Sequence, residues 1–144
     1  RGLVLCRRSE GHLPSDETRV WLGDSMGEMP AYYSVADVAL IGGTLLPFGG
    51  QNLIEAAACG CPVLVGPHTF NFAQATEDSI ACGAARRISN AEDAASAVEA
   101  LQEDRETLRG MRDAAMTFSQ AHRGATARTM ELIRSAMAHQ EVHG

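Results

Sequence analysis

Apolar residues fall in short runs over the first ninety positions and at helical spacing after them. Residues 3–6 and 19–22 are brief apolar stretches with polar, loop-like residues between, which predicts two strands joined by an irregular connection. Met29–Val35 fits a short helix, and residues 38–41 form an apolar run stopped by Gly42-Gly43, the signature of a buried parallel strand. Leu53, Ile54, Ala57 and Ala58 line one face of a helix over about residues 52–59, which Gly60 ends. Residues 62–65 are the next strand, closed by Gly66-Pro67; a helix over about 71–81 and a strand at 85–88 come next. The order strand, helix, strand, helix, strand, with crossovers long enough for parallel pairing, predicts an α/β fold: a Rossmann-like parallel sheet flanked by helices, half of a doubly wound architecture.

From residue 90 onward Ala, Glu and Arg dominate, and residues 90–140 read as a C-terminal helical segment. Asn90 and Asp93 resemble a capping box ahead of Ala94, Ala95, Val98 and Leu101. Leu108, Met111, Ala115 and Phe118 then repeat at helical spacing, and Met130, Ile133 and Met137 continue the habit in a third helix. The methionines read as core filling. A length of 144 residues at 45% hydrophobic suits one core, so residues 1–144 are expected to form a single domain.

Charge removes several chemistries. All 12 basic residues are arginine, against 18 acidic ones, for a net charge of -6. A P-loop lysine, a Schiff-base lysine and a lysine-rich nucleic-acid patch are therefore excluded, and no nucleic-acid partner is expected. No apolar run approaches the roughly 18 residues of a membrane span, so no membrane insertion by this segment is expected and the chain reads as soluble and cytoplasmic. Cys6, Cys59, Cys61 and Cys82 read as buried reduced thiols; no second Cys or His pair follows Cys59 and Cys61 at zinc spacing, so no metal is expected. His12, His122, His139 and His143 are scattered and read as surface residues.

In open α/β sheets ligands bind beyond the carboxyl ends of the strands. Four segments there carry unusual residues: Gly23-Asp24-Ser25-Met26-Gly27-Glu28, Gly42-Gly43-Thr44, Gly49-Gly50-Gln51-Asn52-Leu53-Ile54-Glu55, and Gly66-Pro67-His68-Thr69-Phe70-Asn71-Phe72. The paired glycines permit tight turns and close backbone approach, and a helix starting near Asn52 would aim free amides at an anion. Asn52 and Glu55 would share a face at that terminus, where Glu55 could accept hydrogen bonds from ribose hydroxyls. His68 fits a donor-site or loop-organising hydrogen bond better than proton transfer.

These segments, in this order, resemble the 3-deoxy-D-manno-octulosonic acid (Kdo) transferases, GT-B enzymes that move Kdo from CMP-Kdo onto a lipid A precursor. The resemblance implies a donor-binding C-terminal domain whose nucleotide contacts fall on Met26, Gly27, Glu28, Asn52, Leu53, Ile54 and Glu55. Gly42, Gly43, Thr44, Gly49, Gly50, Gln51, Gly66, His68 and Asn71 are further donor-cleft candidates. Gln51 stands where many members carry His, and Leu53-Ile54 where many carry Pro-Leu. The resemblance assigns the catalytic carboxylate and the contacts to the lipid acceptor to an N-terminal domain outside this chain. It therefore implies no catalytic residue here, no cofactor beyond the CMP-Kdo substrate, an inactive isolated chain, and a parent at the cytoplasmic face of the inner membrane. A UDP-sugar transferase or epimerase domain, or a non-catalytic nucleotide-binding module, is the alternative.

Overall fold

The structure, a computed structural model, describes residues 2–122 and 130–134. Strands and helices alternate through most of the described residues. Strands β1 (Leu5–Arg7) and β2 (Val20–Leu22) pair in parallel, Leu5 opposite Val20 and Arg7 opposite Leu22. Strands β3 (Ala39–Leu40), β4 (Val63–Val65) and β5 (Ala85–Arg87) form a second parallel sheet with β4 in the middle. The helices are α1 (Met29–Val35), α2 (Ile54–Ala58), α3 (Ala73–Ala81), α4 (Ala91–Glu103) and α5 (Arg105–His122).

The core is organised by β4, which has a strand on each side and helices over both faces. Val63, Leu64 and Val65 are each at most 1% exposed. Because side chains alternate along a strand, Val63 and Val65 enter one cluster with Ala56, Ala57, Ala115 and Phe118, while Leu64 enters another with Ile88, Ala97, Leu101, Leu108 and Met111. Full burial of each such side chain stabilises by about 1.5–3 kcal/mol. Ala56 and Ala57 meet Ala115 in the first cluster, and these small residues let α2 and α5 approach closely. The α5 stripe predicted from spacing is buried as expected.

Helix ends are equally explicable. Asn90 Oδ1 accepts from the Asp93 amide at 2.9 Å, while the Asp93 carboxylate accepts from the Ser89 amide at 2.8 Å, one residue earlier than a standard capping box. At Asp104 the chain breaks between α4 and α5. The Asp104 carboxylate accepts from the amides of Glu106 and Thr107 and from the Thr107 hydroxyl, which hold its pKa below the ordinary value, the Thr107 hydroxyl most strongly. Gly60, at φ +66°, is the left-handed residue that ends α2.

Several expectations need correction. The strand predicted at 38–41 is an edge strand, not a buried one: Leu40 is 47% exposed and only Ile41 is buried, because β3 has β4 as its sole partner among the described residues. The strands fall in two sheets, and residues 2–40 contain no buried residue. Parallel sheets ordinarily bury both faces. The β1–β2 unit is held by surface contacts instead: Ser9 donates its amide and hydroxyl to Asp24, Arg8 pairs with Glu28 at 2.9 Å, and the Trp21 ring meets Tyr32 edge-on.

Met111 fills core, but Met130 and Ile133 are exposed; Met137, His139 and His143 lie outside the described residues. Among the cysteines only Cys61 is buried, its thiol pushed up to about 11 by burial; Cys82 is exposed. His122 is half-buried, its ring against Phe118 and Nδ1 at 2.9 Å from the Phe118 carbonyl.

Candidate functional site

A cavity of about 380 Å³ opens beyond the end of β3, between α1 and the start of α2. It gathers Gly42, Gln51, Asn52 and Glu55 from the predicted segments, and adds Met29, Tyr33, Leu40 and Ile41. Gly42 and Gln51 are brought together by the loop between them: Gln51 donates its amide to the Gly42 carbonyl and Gly50 to that of Gly43, at 3.2 and 3.1 Å. The loop thus closes on itself and delivers its two ends to the same wall.

Asn52 organises the entry into α2. Its Oδ1 accepts the Ile54 amide at 3.0 Å and its Nδ2 donates to Glu55 Oε1 at 3.2 Å. The expectation of a helix beginning near Asn52 that aims free amides at a ligand is modified by this geometry. The Asn52 side chain captures one of them, so α2 starts at Ile54. The Glu55 carboxylate is exposed, fixed by one donor, and keeps lone pairs for a hydroxylated ligand. Tyr33, half-buried, stands on the opposite wall; burial raises its pKa first and the Glu55 charge second.

Met26, Gly27 and Glu28 lead into α1 on its other side. Met26 is 97% exposed and Gly27 has φ +80°, a turn that suits only glycine. Glu28 accepts from Ser25 and from Arg8, and these contacts, Ser25 first, lower its pKa. A separate cavity of about 170 Å³ lies beside it, walled by Arg8, Trp21 and Tyr32. The Tyr32 hydroxyl is buried there, near enough to Glu28 to help lower its pKa yet without a partner in hydrogen-bonding geometry among the described residues.

Several other candidates make contacts inside the loops that carry them. Thr44 is 1% exposed and donates to the Ile41 carbonyl at 2.6 Å, so its hydroxyl is spent inside the loop. A Cβ on Gly66 would stand 2.3 Å from the Thr44 carbonyl, and one on Gly50 2.9 Å from Thr44 Cγ2. Gly43 and Gly49 have φ of +73° and +86°. Leu53 is 1% exposed, its side chain in the core, while Ile54 is half-buried. Asn71 donates Nδ2 to the carbonyls of Phe48 and Gly50, and the His68 amide donates to Thr44. The His68 imidazole is half-buried and makes no side-chain hydrogen bond among the described residues, where no three His, Cys, Asp or Glu side chains converge either.

The family model described as Glycosyl transferases group 1 matches residues 3–118. This chain belongs to the group 1 glycosyl transferases. Within that family it is 48% identical, over 92% of its length, to the 3-deoxy-D-manno-octulosonic acid transferase of Bordetella pertussis. It is 36% identical over 89% of its length to the transferase of the same name from Haemophilus influenzae. The chain spans only 31% and 30% of those two relatives. Among solved structures it is similar to the C-terminal CMP-Kdo binding domain of WaaA from Acinetobacter baumannii, with TM-score 0.78 and 31% identity, covering 82% of this chain and 62% of that one. The fold class expected from sequence, a parallel α/β architecture matching the C-terminal domain of a GT-B enzyme, holds. Tyr33 and Met29 were not legible as cavity residues, because α1 carries no motif and its facing is set by packing on α2.

Proposed function

We propose that this chain is the donor-binding domain of a Kdo transferase and that it takes CMP-Kdo in the cavity between α1 and α2. The observation that carries the reading is the coincidence of that cavity, with Gly42, Gln51, Asn52 and Glu55 on its walls, with the likeness to a CMP-Kdo binding domain. Glu55 accepts hydrogen bonds from the ribose hydroxyls, and Asn52 positions its carboxylate. Gly42 leaves room for the donor to approach the backbone, and Met26, Gly27 and Glu28, which run directly into the cavity residue Met29, contact the nucleotide at the start of α1. The domain's share of the reaction is donor positioning, the part of catalysis that converts encounter into a fixed geometry. The lipid A precursor binds the remainder of the transferase, which supplies the catalytic carboxylate at the cytoplasmic face of the inner membrane.

Calorimetric titration of CMP and UDP into the protein tests this. CMP is expected to bind in preference to UDP, and Glu55→Ala to weaken CMP about tenfold, a loss of about 1.4 kcal/mol. Preference for UDP, or an unchanged affinity in Glu55→Ala, would sink the assignment.

A further inference from the structure

Helix α1 forms one wall of the larger cavity through Met29 and Tyr33, yet none of its seven residues is buried. So short a helix keeps its shape and place only through outside contacts. Its first turn has two: Glu28 pairs with Arg8, and the Cys59 thiol donates to the Pro30 carbonyl at 3.6 Å. Its last turn carries no basic residue to meet the unpaired carbonyls and the negative end of the helix dipole. Arg112 of α5, 76 residues further along the chain, supplies one. The Arg112 Nη2 donates to the Ala36 carbonyl at 3.3 Å and to Asp37 Oδ1 at 3.0 Å. The other wall, α2, has Ala56 and Ala57 packed in one cluster with Ala115 of the same α5. A helix outside the cavity thus holds both walls, α2 by packing and α1 by a guanidinium.

We infer that Arg112 is a positioning residue for the nucleotide: through Ala36 and Asp37 it fixes α1, and with it Tyr33 and Met29, at the distance from Glu55 that the ligand needs. The inference rests on the reading of the α1–α2 cavity as the donor site. Arg112 does not line that cavity, so it acts only through the helix it holds. The tie falls where the wall is weakest, since Tyr33 and Ala36 rest on the core cluster by partial burial alone. Both partners of the ion pair are partly exposed, at 35% for Arg112 and 58% for Asp37, so its loss frees α1 without unfolding the chain. Affinity falls by the fraction of time the wall is out of place: a wall seated about a third of the time binds about threefold more weakly.

Hydrogen exchange and CMP titration of the chain test this together. Arg112→Met keeps the apolar stem and removes the donors. Amides of residues 33–36 should then exchange severalfold faster without nucleotide, those of α4 should not change, and CMP should bind about threefold more weakly. Arg112→Lys should restore both, because a single nitrogen makes both contacts. Asp37→Asn, at the more exposed partner, should shift both readouts in the same direction by less. Arg109→Met, on the same helix with only the Arg105 carbonyl as partner among the described residues, should shift neither. Unchanged α1 exchange in Arg112→Met overturns the proposal. So does an equal loss in the Met and Lys variants, which would make the length of the side chain rather than its donors the cause. If the wild type binds no CMP, the donor-site reading fails and this inference with it. If the wild type binds CMP and Arg112→Met binds it equally well, this inference alone fails.

Discussion

Gly42 and Gly66 close adjacent strands and look alike in sequence, yet their surroundings differ. Gly42 lacks a positive φ and nothing lies within 4 Å of where its Cβ would be, so neither backbone nor packing requires glycine; the space it leaves belongs to the cavity. A Cβ on Gly66 would stand 2.3 Å from the Thr44 carbonyl, a backbone atom that cannot step aside. Gly42→Ala is expected to leave the urea midpoint unchanged and weaken CMP binding several-fold. Gly66→Ala is expected to cost about 1–3 kcal/mol or more through overpacking. Paired denaturation and titration curves for the two variants check both outcomes; a large loss of stability in Gly42→Ala would remove the reason to read that glycine as ligand space.

Among the elements, α5 contributes most to cohesion, because Ala115 and Phe118 reach the β4 cluster while Leu108 and Met111 reach the opposite one. Phe118→Ala should cost about 3–5 kcal/mol, read as a lower urea midpoint with little change in slope. The start of α5 is pH-dependent. Asp104 has a folded pKa below its unfolded value of about 3.9, so its contribution is fully present above that value and is lost as pH falls through the folded pKa. Asparagine caps nearly as well but does not titrate. The stability advantage of the wild type over Asp104→Asn should therefore shrink between pH 7 and pH 3, and an advantage independent of pH would rule out this account of the cap. By contrast, the β1–β2 unit draws little on burial. Its ties to α1 are the Arg8–Glu28 ion pair at the N-cap and the Trp21–Tyr32 contact, while the Asp24 and Glu28 carboxylates have lowered pKa values through hydrogen bonds from Ser9 and Ser25 respectively.

For the whole molecule, the proposed division of labour has a direct consequence. On the proposed reading the cavity between α1 and α2 positions the donor, and the remainder of the transferase supplies the catalytic carboxylate. The 144-residue chain is therefore expected to transfer no Kdo from labelled CMP-Kdo to a lipid A precursor, measured by product chromatography. Transfer by the chain alone would place the base among these residues.

Local patterns in the sequence determined the elements and their order. Leu108, Met111, Ala115 and Phe118 could be read as a buried stripe because helical spacing and burial agree over that stretch. The glycine-rich strand ends could be read as ligand positions because strand, stop and helix succeed one another along the chain. Asn52 and Glu55 could be paired because three residues of helix separate them, although the Asn52 side chain then moved the helix start to Ile54. Tertiary structure decided the rest, since it depends on atoms distant in sequence. Whether a glycine serves a ligand or its neighbours is set by Thr44 or Phe70, more than twenty residues away. The facing of Tyr33 into the cavity is set by α2, and the edge position of β3 by the strand it lacks. Residue type and spacing report what a segment prefers; only packing reports which neighbour it meets.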